Sequence, residues 1–136
     1  MITRTEVLKK WTKDWRTLQA WCRDLSEVSV EISDKAHPHR LGTCWSHEQR
    51  LVVYKGSSIT EDLDTLIHEL AHAATIGEGH GLAWQSCYAD AVQEVTGIPI
   101  PSAADNYRTL CQSGKAAVSS WWVSSGHDFL WKLVSK

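Results

Sequence analysis

No two of the four cysteines, Cys22, Cys44, Cys87 and Cys111, form a C-x-x-C pair. That spacing excludes a cysteine-built zinc ribbon within the chain. No apolar run approaches the roughly 20 residues that span a bilayer. The opening residues, MITRTEVLKKW, lack the apolar core of a secretion signal. The expectation is a cytoplasmic chain with no membrane partner, its cysteines kept as buried or free thiols. Internal repeats, low-complexity tracts and linkers are missing too. All 136 residues therefore read as one domain, 1–136, long enough to bury a core. Net charge is only −2, which argues against a general nucleic-acid binder. Basic charge collects at the start, where Arg4, Lys9, Lys10, Lys13, Arg16 and Arg23 face Glu6, Asp14 and Asp24. Nucleic acid is thus expected to bind weakly, if at all.

What is present begins with eight tryptophans, assigned mostly to the core because an indole ring buries a large apolar area. Thr3-x-x-Glu6 reads as a capping box. Leu8, Trp11, Trp15, Leu18, Cys22 and Leu25 then recur at alternating spacings of three and four, predicting an N-terminal helix of about six turns. Val28, Val30 and Ile32 alternate with polar residues as in a half-buried strand. LGTCW and RLVVYK read as two further strands joined as a hairpin through Ser46–Gln49. A short antiparallel three-stranded sheet is expected. Ser58-x-x-Glu61 opens the next helix, which Gly77 and Gly79 end. Another helix covers GLAWQSCYADAVQEVTG, stopped by Gly97 and Pro99. Ser102-x-x-Asp105 opens one more, through about Gln112, and the tail reads as helical. The fold class is α+β.

The stretch HELAHAATIGEGH, residues 68–80, carries the chemistry. On a helix, Ile59, Leu63, Leu66, Ile67, Leu70, Ala71 and Ala74 form one aliphatic stripe. His68 and His72 lie four apart on the opposite side, so their imidazoles can converge on one ion. Zn²⁺ takes neutral imidazole nitrogen in a tetrahedral arrangement. In H-E-x-x-H the glutamate, here Glu69, takes a proton from a zinc-bound water and does not ligate the metal. A shuffled chain of this composition would show the motif in about 2% of cases, so its placement on a capped amphipathic helix is not readily accidental.

A third ligand is needed. His80 returns through a turn containing Gly77 and Gly79, which permit sharp reversal. A carboxylate one helix later, Glu94 or Asp90, is the rival, and Glu78 a further one. The side chain that assists the developing oxyanion stays open among Tyr54, Tyr107, Arg108 and His127. His37, His39 and His47 read as solvated loop residues. Strand 50–55 is the one expected along the edge of the cleft, where a substrate strand can pair with it.

HELAHAATIGEGHGLAW resembles the SprT-like (Spartan-type) zinc metallopeptidases, whose pattern is H-E-x-x-H-A, a variable loop, then H-G-x-x-F/W opening a helix. His68, Glu69, His72 and Ala73, then His80, Gly81 and Trp84, occupy that pattern. The likeness spans about residues 40–96, with LGTCW and RLVVYK as the hairpin before the active-site helix. It implies a small zincin-like domain in its minimal catalytic form, with Zn²⁺ on His68, His72 and His80 and Glu69 as general base. The implied activity is a zinc metalloendopeptidase acting on a protein or peptide substrate. Spartan-type members cleave proteins crosslinked to DNA with the help of DNA-binding parts; no such part is recognisable here, so only the peptidase core carries over. The alternative is a non-catalytic, zinc-stabilised domain that binds protein or nucleic acid, for which an intact Glu69 would have no use.

Overall fold

A computed structural model describes residues 2–101, 106–126 and 128. The Thr3 hydroxyl accepts the Glu6 N–H at 3.2 Å and starts helix α1, Arg4–Trp15. Leu8, Trp11 and Trp15 are buried along it, as the periodicity requires. The helix stops at Trp15, about half the expected length, although Leu25 and Trp21 remain in the core. Tertiary partners replace the helical hydrogen bonds there. The Trp21 indole N–H takes the Trp15 carbonyl at 2.5 Å. The Glu94 carboxylate accepts the Gln19 and Ala20 N–H groups, each at 2.9 Å. Spacing at three and four records which residues are buried; here it does not record a continuous helix.

Strands β1 (Ser29–Ile32), β2 (Gly42–Trp45) and β3 (Arg50–Val53) form one sheet in the order β1-β3-β2. β2 and β3 make the expected antiparallel hairpin, with Gly42 opposite Val53 and Trp45 opposite Arg50. Their link is a 3-10 turn, Ser46–Glu48, closed by Gln49 at φ 52°. Its side chain holds the Ser46 carbonyl at 2.6 Å. β1, however, runs parallel to β3, so the sheet is mixed and not wholly antiparallel. The chain after β1 crosses to the far side of β3 before returning as β2. Lys55 N–H to the Lys35 carbonyl and Tyr54 N–H to the Leu41 carbonyl fasten that crossing. Strand 50–55 is consequently the centre of the sheet, and β2 has the edge that sequence reading gave to it.

Helix α2, Ile59–Ala74, is capped by Ser58, whose hydroxyl accepts the Glu61 N–H. Its stripe of Leu63, Leu66, Ile67, Leu70 and Ala71 is fully buried against the sheet and the other helices. Burying each such leucine contributes roughly 1.5–3 kcal/mol. The helix ends at Ala74, before the glycines, where Thr75 leaves helical backbone at φ −125° and ψ 67° while its hydroxyl donates to the Ala71 carbonyl at 2.7 Å. Helix α3, Leu82–Thr96, ends on Gly97 at φ 74°, a left-handed cap suited to glycine. Helix α4 runs from Tyr107 to Trp121, capped by Asn106, and passes into a π turn, Trp122–Gly126. The proposed Ser102–Asp105 start and most of the tail beyond 126 lie outside the described residues. α3 and α4 approach closely at Gly114, where any Cβ would collide with the Tyr88 ring. Tyr88 donates its hydroxyl proton to Asp64 on α2, tying three helices together.

Among the described residues, four α-helices and a small mixed sheet thus make an α+β fold. Trp11 and Trp15 stack at 5.3 Å and meet Trp121. Their faces are buried, which takes them away from base stacking. No helix among the described residues is long and apolar enough to cross a membrane.

Candidate metal centre

The helical period brings His68 and His72 to one side of α2, with ring centroids 5.0 Å apart. The turn after α2 then reverses the chain. Gly77 at φ 78° and Gly79 at φ 57° occupy left-handed backbone that side chains rarely adopt. His80 emerges from this reversal facing the pair. Its Nε2 lies 3.0 Å from Nε2 of His72 and 3.3 Å from Nε2 of His68. A tetrahedral ion with Zn–N of about 2.0–2.1 Å sets N···N edges of about 3.3–3.4 Å. Ligand atoms of all three histidines lie within 4.8 Å of one another, so the group could hold a metal ion.

Packing fixes these rings. Trp84 is fully buried and forms the floor, its ring 4.7, 5.1 and 4.8 Å from those of His68, His72 and His80. Trp84 lies one turn into α3, which explains physically why a tryptophan follows His80 at this spacing. Tyr107 stacks on the open face of His80 at 4.0 Å. The Gln85 amide donates to the His80 carbonyl at 3.0 Å. Sequence reading missed Gln85, because a side chain that holds a ligand through its backbone carries no local pattern.

Burial and mutual repulsion favour the neutral, metal-binding form of the imidazoles. His68 is held down to about 3, by burial first and then by its two neighbours. His72 is held down to about 4, again mainly by burial, and His80 is lowered in the same direction. Three neutral imidazoles suit Zn²⁺, and also other divalent transition ions.

Glu69 points to the side of the triad, only 6% exposed. Burial pushes its carboxyl up to about 8, against the pull of Arg40. The backbone of Gly42 crosses directly over it; a Cβ there would lie 2.8 Å from Oε2 of Glu69. Cys44, two residues further along β2, has its thiol pushed up to about 12 by burial and by Glu69.

These groups open into one cleft of about 690 Å³. β2 and the residues before it form one wall, Tyr107, Cys111 and Lys115 of α4 another. The Tyr54–Leu41 bond and the register make Thr43 and Trp45 the residues bonded to β3. Gly42 and Cys44 therefore turn their backbone N–H and C=O groups outward, into the cleft. No strand lies beyond β2 among the described residues.

The remaining sequence candidates separate clearly. Glu94 serves the chain after α1, as described above, and Asp90 and Glu78 are not in the metal-capable group. Of the four side chains left open as oxyanion donors, Tyr107 lines the cleft, while Tyr54 and Arg108 do not. His127 lies outside the described residues. His39 stands at the cleft's rim, its backbone N–H donated to His37, and His47 is exposed on the 3-10 turn. All four cysteines are free thiols. Comparison of the chain with protein-family models, with curated proteins and with solved structures finds no match.

Proposed function

We propose that this protein is a zinc-dependent metallopeptidase of the zincin type that cleaves a protein or peptide substrate. The observation that carries the reading is the convergence of three imidazole Nε2 atoms beside a buried glutamate, in a cleft open to an unpaired strand edge. A purely structural zinc site is normally closed by four protein ligands. Here three ligands face a cleft large enough for a peptide, and His80 is exposed. The H-E-x-x-H…H-G-x-x-W pattern and its likeness to SprT-like peptidases support the same conclusion.

His68, His72 and His80 would hold Zn²⁺ as neutral donors. Bound there, the ion would supply Lewis acidity, lowering the pKa of a water and polarising a carbonyl. Glu69 accepts a proton from the attacking water and returns it to the leaving amine. Gly42 and Cys44 align an extended substrate by strand pairing. Tyr107, whose phenol is pushed upward by burial and by Cys111, keeps its proton and would offer a hydrogen bond to a developing oxyanion.

Glu69→Gln tests the proposal. The amide cannot accept the proton, so turnover should fall by about 10²–10⁴ while zinc content and melting temperature stay equal. Equal cleavage of an unfolded protein by both preparations would overturn the mechanism.

A further inference from the structure

The walls of the cleft have an uneven charge. Two carboxylates line it, and neither is free to meet a substrate side chain. Asp64 is 3% exposed and takes the Tyr88 hydroxyl, and Glu69 is buried beside the histidines. The charges that face solvent are cationic. Lys115, on α4, lies 3.8 Å from the Glu61 carboxylate, which balances it. Arg40, on the strand wall, has no carboxylate within ion-pairing distance among the described residues. Its guanidinium donates to the Thr43 hydroxyl at 3.5 Å and pulls on the Glu69 carboxyl without forming an ion pair with it. Exposed, with five N–H donors and no ion pair among the described residues, the guanidinium has donors left for a ligand's carboxylate.

Its position along the edge is informative. Arg40 precedes Gly42 by two residues, and both line the cleft. A substrate strand paired with β2 presents side chains on one face every second residue, about 6.6–6.8 Å apart. The side chain that follows in this series from the one beside Gly42 and Glu69 comes level with Arg40. The guanidinium fork matches a carboxylate in a bidentate manner.

We propose that the cleft selects acidic segments, with Arg40 binding an aspartate or glutamate two residues away from the substrate residue that lies beside Glu69. The inference rests on the peptidase reading and adds a substrate class to it.

The test is a set of ten-residue peptides in which one glutamate is moved stepwise through a Ser/Ala/Leu host, with lysine and glutamine versions of each. Cleavage by the zinc-loaded protein is mapped by mass spectrometry. Binding of the same peptides to zinc-loaded Glu69→Gln protein is measured by fluorescence anisotropy. Glutamate at one fixed position, two residues from the residue beside the scissile bond, should raise kcat/KM by about 10- to 100-fold over lysine, the range of a charge-assisted hydrogen bond. Arg40→Glu should invert that preference toward lysine, Arg40→Lys should keep it in weaker form, and Lys115→Ala should barely change it. Cleavage without a positional acidic preference, or a preference that survives Arg40→Glu, overturns the proposal and leaves the peptidase reading standing. Acidic peptides that bind through Arg40 but are never cleaved sink the peptidase reading and leave the acidic subsite. Displacement of the peptides by single-stranded DNA at lower concentration than an acidic peptide of equal charge also overturns it, since the cations would then serve phosphates.

Discussion

Gly42→Ala perturbs Glu69, the proposed general base, without touching it chemically. A Cβ at this position would stand 2.7 Å from Thr65 Cγ2, 2.8 Å from Glu69 Oε2 and 3.0 Å from Glu69 Cγ. Carbon pairs are comfortable at about 3.5–4.0 Å, so the first contact is short by roughly 0.8 Å or more. Thr65 is buried and its hydroxyl is held by the Glu61 carbonyl at 2.9 Å, so it yields little. Glu69 is the longer, freer side chain and is expected to move. Overpacking of this kind costs about 1–3 kcal/mol. Displacing a catalytic group by about 1 Å costs on the order of 10² in rate. On the proposed mechanism, Gly42→Ala should therefore bind as much zinc as wild type, melt several degrees lower and lose about 10²-fold in kcat on an unfolded protein substrate. Adding Thr65→Ser removes the Cγ2 methyl and keeps the hydroxyl. The double variant should regain stability without regaining turnover, because the contacts with Glu69 persist. Wild-type kcat and melting temperature in Gly42→Ala would refute the steric argument. Full recovery of turnover in the double variant would assign the effect to Thr65 alone.

Two further outcomes follow from the same geometry. His80→Ala should lose stoichiometric zinc by elemental analysis, whereas Glu94→Ala should retain it and be destabilised by about 1 kcal/mol through the freed Gln19 and Ala20 N–H groups; the reverse pattern would make the third ligand a carboxylate. Asp64 gives a pH signature. Burial raises its carboxyl from 3.8 to about 6, so its contribution is fully present below about pH 3.8 and is lost as pH rises through about 6. In metal-free protein, Asp64→Asn should gain stability relative to wild type between about pH 4 and 7, read from urea midpoints; a difference independent of pH would show that Asp64 is not held protonated.

The three-histidine group that could hold a metal ion was legible in the sequence because its determinants are local. Four-residue spacing on a capped helix puts His68 and His72 on one side whatever surrounds them. Gly77 and Gly79 announce a reversal that other residues would resist, and His80 stands directly after it. Trp84 follows at a helical spacing that places its ring beneath all three imidazoles. The helix caps at Thr3 and Ser58 are equally local, and so is the β2–β3 hairpin, since two strands joined by a short turn can hardly do otherwise than pair. Only the tertiary structure decided the rest. α1 ends at Trp15 because Glu94, some 75 positions along the chain, and the Trp21 indole satisfy backbone groups that a longer helix would have satisfied itself. Neither partner is visible from the apolar periodicity, which is the same for a helix and for a compact turn that buries the same residues. Strand order was beyond reach for a similar reason: alternation marks β1 as half-buried but says nothing of which neighbour it joins or in which direction. That order makes β2 an outer strand of the sheet, brings Gly42 over Glu69 and puts Arg40 in the cleft. Those placements depend on contacts between elements distant in sequence, where no residue's own propensity carries the information.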